Sequence, residues 1–235
     1  MNKNQAFWYI VGMTHARLSK VPKYFLSFSF SNISSGEPVQ RAFEIISGEI
    51  GSEGFYKPED GRILGNYKFT SYSKNLVDRV RESCGDFSQV PSAEDFLGES
   101  YLKGVFDGGF VPLAKRINRV TIATREVPRL CIKKKHNRNY LYSLKEYLLN
   151  FEIKSSIEAL NNRVSITELS SLKKCLKFFS KGDKKEKLSV ILLDHLALME
   201  IDYRGRAQKL KREYRKNKIP IDIIQSSALL EDRLF

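Results

Sequence analysis

Leu102–Phe110 reads LKGVFDGGF, and Ile10–Leu18 reads IVGMTHARL. Both are nine-residue strings with glycine in third place, and Gly12 and Gly104 stand 92 positions apart. Each string ends a longer apolar segment, Ala6–Ser19 (AFWYIVGMTHARLS) and Phe96–Gly109 (FLGESYLKGVFDGG). In the first, Trp8, Ile10, Val11 and Met13 suit a buried helix. A glycine inside a helix costs about 1 kcal/mol relative to alanine. Its presence in both segments marks the close approach of another backbone.

Behind each glycine-bearing helix the same order of patterns follows. Lys23–Ile33 (KYFLSFSFSNI) alternates with period two. Tyr24, Leu26, Phe28 and Phe30 fall on one face; Lys23, Ser27 and Ser29 fall on the other, with Phe25 an exception. Glu37–Ile50 reads as a helix with Pro38 in its first turn. Phe55–Tyr72 reads as a hairpin about Pro58-Glu59-Asp60-Gly61. Its second strand sets Ile63, Tyr67 and Phe69 against Arg62, Asn66, Lys68 and Thr70. Asn75–Cys84 is a short amphipathic helix, and Gly85–Ala93 is a polar linker with Pro91. After the second glycine helix, Lys115–Arg125 (KRINRVTIATR) reads as a strand with Val120 and Ile122 opposite Arg119, Thr121 and Arg125. Asn139–Phe151 is a helix, Ser156–Thr167 holds two short strands about the turn Asn161-Asn162, and Leu169–Phe179 is a helix. Lys184–Ile201 is a further helix with an apolar middle. The order predicts an α+β protein with halves at residues 1–90 and 91–201, followed by a basic extension at 202–235.

Composition narrows the partner. Lys and Arg number 40 against 27 acidic residues, a net charge of +13 with a pI near 9.6. A field of that sign favours polyanions, nucleic acid before an acidic membrane. The 42% apolar content allows a sizeable core. Cys84, Cys131 and Cys175 are far apart, and the three histidines lack metal-ligand spacing, so neither a disulfide framework nor a zinc site is expected. No apolar run reaches membrane-spanning length, and Met1–Gln5 has the pattern of neither a secretory signal nor a transit peptide. The expected location is an organelle matrix (mitochondrion or plastid) or the cytoplasm or nucleoid of a prokaryote; secretion is not expected. Richness in Lys, Asn, Ile, Phe, Tyr and Ser points to an AT-rich genome.

The paired nine-residue strings, each followed by the same run of elements, resemble the motif of LAGLIDADG homing endonucleases and maturases. The second copy is the fuller one: glycine, then Val105-Phe106-Asp107, then Gly108-Gly109. The likeness covers about Ala6–Ile201, and Gly182-Asp183-Lys184-Lys185-Glu186-Lys187 with the helix behind it resembles the family's closing helix. The resemblance implies two pseudo-symmetric α-β-β-α-β-β-α halves. The motif helices would pack side by side, with Gly12 and Gly104 at their interface, where a β-carbon would hold them apart. The two antiparallel sheets would form a saddle over nucleic acid. Phe28, Phe30, Tyr67, Phe69, Val120 and Ile122 would face the helices. Ser27, Ser29, Lys68, Thr70, Arg119, Thr121 and Arg125 would face the ligand, joined by Arg17, Lys20, Lys23, Arg62 and Lys115.

The resemblance also exposes a departure. Active members carry an acid at the eighth motif position, and the pair holds divalent metal at the scissile phosphates. Here those positions are Arg17 and Gly109. Asp107 stands at the sixth position, where the family role is structural. His15 is a helix-end residue or an odd ligand. The expectation is no catalytic residue, no metal site and no cofactor; Mg²⁺ would enter only if the chain were an endonuclease with an unconventional centre. In the metal-free reading Arg17 would contact a phosphate directly. Tyr203–Lys218 adds Arg204, Arg206, Lys209, Lys211, Arg212, Arg215, Lys216 and Lys218, a segment suited to nucleic-acid backbones. The reading is a cleavage-deficient, nucleic-acid-binding monomer with no membrane role. Structured RNA is slightly favoured over double-stranded DNA, through a maturase-like splicing role or a place in a ribonucleoprotein such as an organellar ribosome. The alternatives are a DNA-binding regulator, an active homing endonuclease, and a scaffold that uses its sheets for protein contacts.

Overall fold

The computed structural model describes residues 1–31, 33–50, 67–117, 125–134, 137–180 and 182–200, with backbone alone at 47–50, 115–117, 125–127 and 196–200. Asn2 starts the first helix, α1 (Lys3–Arg17). Its side chain accepts from the Gln5 amide at 2.9 Å, and the Gln5 side chain accepts from the Asn2 amide at 2.7 Å. This reciprocal capping satisfies two donors that a helix start leaves open. Every residue from Ala6 to Ala16 is buried. A helix buried on all sides belongs at the centre of the molecule.

There it meets α4 (Gly98–Gly109). A β-carbon on Gly12 would lie 2.0 Å from the Tyr101 carbonyl oxygen, and one on Gly104 would lie 2.0 Å from that of Tyr9. Each glycine therefore receives the carbonyl three residues before the other glycine, the signature of a twofold-related pair. The expectation for Gly12 and Gly104 is met in both directions. The connector is pinned alongside: Trp8 Nε1 donates to Asp95 O at 2.8 Å, and its ring meets Phe96 edge-on at 4.9 Å.

The elements around α1 are β1 (Leu26–Phe30), α2 (Ile33–Ile50), β2 (Tyr67–Ser71) and α3 (Lys74–Cys84). Those around α4 are β3 (Val111–Ile117), β4 (Arg125–Lys133), α5 (Arg138–Leu149), β5 (Ser156–Glu158), β6 (Arg163–Ile166) and α6 (Leu169–Cys175). The second set is a full α-β-β-α-β-β-α run. In the first, the described residues show one strand between α1 and α2. Helix α7 (Asp183–Glu200) then packs along β3 and β4, with Leu188 and Leu192 buried.

Both sheets are antiparallel. β1 pairs with β2, and the second sheet runs β3-β4-β6-β5. Alternation works as expected in β1: Leu26, Phe28 and Phe30 are buried. Tyr24 departs from it, lying before the strand and 69% exposed. The helix expected from Glu37 begins at Ile33, so Pro38 sits inside α2 rather than in its first turn and removes one intrahelical bond.

The largest correction concerns Lys115–Arg125. It is not one strand. Residues 111–117 and 125–133 form two paired strands, with Lys115 opposite Val127 and Ile117 opposite Arg125. Their prolines fit the topology: Pro112 lies on the edge strand β3, and Pro128 lies beyond Leu130, where pairing of β4 with β6 ends. Val120, Ile122, Arg119 and Thr121 lie outside the described residues. So do the Pro58–Gly61 turn, Arg62, Ile63 and the whole of 201–235.

Candidate nucleic-acid interface

The motif helices end side by side, and cations collect at their feet. Arg17 Nε donates to Gly108 O at 3.1 Å, its Nη1 donates to Ser29 O, and its guanidinium lies 4.4 Å from the Phe30 ring centre. Lys184 Nζ donates to Asp107 O at 2.6 Å. Lys134, from the end of β4, donates to His15 O and Leu18 O. Thus α4 is capped by Arg17 and Lys184 and α1 by Lys134, each cation complementing a helix C-terminal dipole. Burial lowers Lys184 to about 8, with the Arg17 charge acting in the same direction, and burial likewise lowers Lys134 to about 8. Arg17 spends two of its five N–H donors on these carbonyls.

The acids there are engaged or absent. Asp107 accepts from Tyr9 Oη at 2.9 Å and from the Ser180 amide at 3.0 Å. Burial raises its carboxyl above the usual range, against those hydrogen bonds. A β-carbon on Gly109 would meet Ile132 Cδ1 and, at 3.0 Å, the Ala16 methyl. The resemblance to the LAGLIDADG motif implies a divalent metal at this place, and the residues do not fit one. One position is a fixed cation, the other is a glycine with no ligand atom, and the nearby Asp107 carboxylate is already held.

His15 stands in the last turn of α1, the helix-end position expected of it, and both its ring nitrogens are engaged. It is fully buried, with Nδ1 2.9 Å from Tyr101 Oη, which is 3.0 Å from Tyr140 Oη, and Nε2 3.2 Å from Cys84 O. Burial lowers its pKa from 6.5 to about 4; Lys134 lowers it further, while the Cys84 hydrogen bond and Asp86 oppose. Protonation therefore favours the unfolded chain. The stability His15 confers is whole above pH 6.5 and is lost as pH falls toward 4. Between pH 7 and pH 5 this amounts to about 2 kcal/mol. Urea unfolding at the two pH values checks it; in His15→Gln the difference shrinks, although that variant starts less stable.

On the β1–β2 sheet the residues expected to face a ligand share one face. Ser27 stands opposite Thr70 and Ser29 opposite Lys68. Thr70 is less open than expected: it is 6% exposed, with Oγ1 2.9 Å from Ser27 Oγ. Ser29 and Lys68 are exposed, as are Lys20 and Lys23 just before the strand.

The second sheet supplies cations that the alternation reading missed. Leu130, Ile132, Val164 and Ile166 are buried on one face, while Arg129, Lys133, Arg163 and Ser165 occupy the other. Lys133 stands opposite Arg163. Glu158 joins them, so this face is not purely basic. Glu158 pairs with Arg129 at 3.1 Å and with Arg163, and accepts from Ser165 Oγ at 2.6 Å. Burial would raise its pKa, but hydrogen bonds from Arg163, Ser165 and Asn161 outweigh that and hold it at about 2. Of the predicted residues here, Lys115 and Arg125 are fixed by strand register alone.

No protein-family model matches the chain, and no curated protein matches it. Solved structures do. The crystal structure of I-DmoI in complex with DNA and calcium aligns at TM-score 0.55 over 81% of this chain and 100% of that one, at 11% identity. Mesophilic variants of the homing endonuclease I-DmoI align at 0.54 over 79% and 98%, also at 11% identity. The N-terminal LAGLIDADG domain of DUF199/WhiA aligns at 0.50 over 79% and 88%, at 17% identity. Identities this low speak for architecture alone. Two glycine-locked helices at the centre, antiparallel sheets on either side and these alignments over most of the chain give it the LAGLIDADG fold.

Proposed function

We propose that this chain binds nucleic acid without cutting it. The observation that carries the reading is the foot of α1 and α4. There Arg17 and Lys184 hold the places around Gly108 and Asp107, and Ile132 fills the space beside Gly109. A backbone phosphate at that place meets fixed cations rather than metal-bound acids. The exposed Lys20, Lys23, Lys68, Lys133 and the partly exposed Arg163 extend the positive surface along both sheets.

Structured RNA is the favoured partner, in a maturase-like splicing role or a ribonucleoprotein such as an organellar ribosome. The support is the basic segment Tyr203–Lys218, where Arg204, Arg206, Lys211, Arg212 and Arg215 add cations suited to an RNA backbone. The DNA-bound state of the I-DmoI structure favours duplex DNA as the second reading. The chain works as a monomer, since it carries both motif helices itself.

Purified protein titrated with duplex DNA and structured RNA pools at low salt tests this. The expected result is saturable binding to both, tighter for RNA, with the RNA preference falling when 204–218 is removed. Specific double-strand cuts in Mg²⁺, abolished by Asp107→Asn, overturn the non-cleaving reading. Absence of binding to either pool overturns the whole proposal.

A further inference from the structure

At one end of the β1–β2 face three aromatic rings stand in solvent. Tyr24 is 69% exposed, Tyr72 50% and Phe25 37%. Phe25 and Tyr72 occupy the positions next in register after Leu26 and Ser71, and their ring centres are 6.0 Å apart at 52°. They continue the row of Ser27, Thr70, Ser29 and Lys68. Lys23 Nζ lies 5.2 Å from the centre of the Tyr24 ring.

The segment bearing these rings is held in place. Arg81 on α3 donates to Pro22 O at 2.9 Å and to Lys23 O at 3.3 Å, and is itself fixed by Asp78 at 2.6 Å. Segments 18–31 and 67–75 carry Lys20, Lys23, Lys68 and Lys74 and no acidic residue. An exposed aromatic pair continuous with a polar sheet face, on segments that carry lysines and no acid, suits a ligand with flat π-faces and a negative backbone.

We infer that Phe25 and Tyr72 form a stacking subsite for an unpaired nucleobase of the nucleic acid lying on the β1–β2 face. A paired base offers its edge, not its face, so a fully duplexed ligand cannot use the platform. An unpaired base in a loop or bulge can, and stacking tolerates any sequence. The subsite rests on the proposed nucleic-acid function and adds to it a preference for unpaired segments.

The test compares Phe25→Leu/Tyr72→Leu with the unaltered protein. The probes are one RNA hairpin with an unpaired loop, its DNA counterpart, and a perfect duplex of the same stem. A fluorescent purine in the loop reports stacking. Expected is a loss of about tenfold on both looped probes, unchanged duplex affinity and loss of the fluorescence response. Loss on the RNA loop alone assigns the subsite to RNA, and equal loss on both assigns it to any unpaired base. Equal weakening on all three probes, or none, overturns the subsite while leaving nucleic-acid binding standing. If the unaltered protein binds none of the probes, the underlying function has failed instead. The variant's fold is checked by its melting temperature, which surface changes at these positions leave close to the starting value.

Discussion

Gly12→Ala and Gly104→Ala each destabilise the protein by more than about 3 kcal/mol, measured by urea unfolding. The added methyl meets a carbonyl oxygen and its carbon, not a side chain that can rotate away. On one side the obstacle is Tyr101 C and O; on the other it is Tyr9 C and O, with the Met13 amide nitrogen at 2.8 Å. Relief requires the helices to move apart. That movement opens the packing of Trp8, Tyr101, Phe106 and Met13, all buried. One separation relieves both clashes, so the double variant loses less than the sum of the two. Gly85→Ala is the contrast. Its β-carbon meets nothing within 4 Å, and only its φ of +51° opposes the change. The loss there is about 1 kcal/mol. A loss of no more than about 1 kcal/mol at Gly12 and Gly104 would mean that the helices part at little cost and that the backbone contact does not set the stability.

These glycines were legible in the sequence because a costly residue stood twice at the same place in the same pattern. Other parts were not, for reasons that particular residues make plain. Lys115–Arg125 read as one strand because Val120 and Ile122 alternate with cations, while the flanking strand residues carry Pro112 and Pro128, which fit only because one sits on an edge strand and the other past the end of β6. With those strands misplaced, Arg129, Lys133 and Arg163 were not seen to share a face. Glu158 entered that face from a three-residue strand too short to show alternation. The helix-end place of His15 was readable, but its burial was not, because its partners, Tyr101 and Cys84, are 86 and 69 residues away in sequence. Arg17 and Gly109 at the eighth motif positions were readable from the resemblance. Their structural consequence was not: Ile132, which packs beside Gly109, comes from β4, and Lys184 comes from α7. Position along one element was readable, and juxtaposition across elements was not.

Binding to nucleic acid falls about a thousandfold between 50 and 200 mM salt and is the same in EDTA as in Mg²⁺. The first half of that expectation follows from charge. Arg17, Lys20, Lys23, Lys68, Lys133 and Arg163 offer about six phosphate contacts, and on a duplex each contributes close to one unit of slope in log affinity against log salt. The second half follows from the helix feet. An interface whose central positive charge is covalent has no metal to lose, whereas one built on paired acids repels phosphate once its metal is chelated. Arg17→Ala removes one unit of slope and about tenfold in affinity at low salt. Because Arg17 also ties Gly108 O to Ser29 O, that variant alone cannot separate charge from support. Arg17→Lys separates them: it keeps the charge but loses the planar fork. Recovery of the salt slope in Arg17→Lys, with stability still reduced, assigns the phosphate contact to the charge itself. A slope unchanged in Arg17→Ala, or binding abolished by EDTA, would place the nucleic acid elsewhere on the protein or restore a metal to its centre.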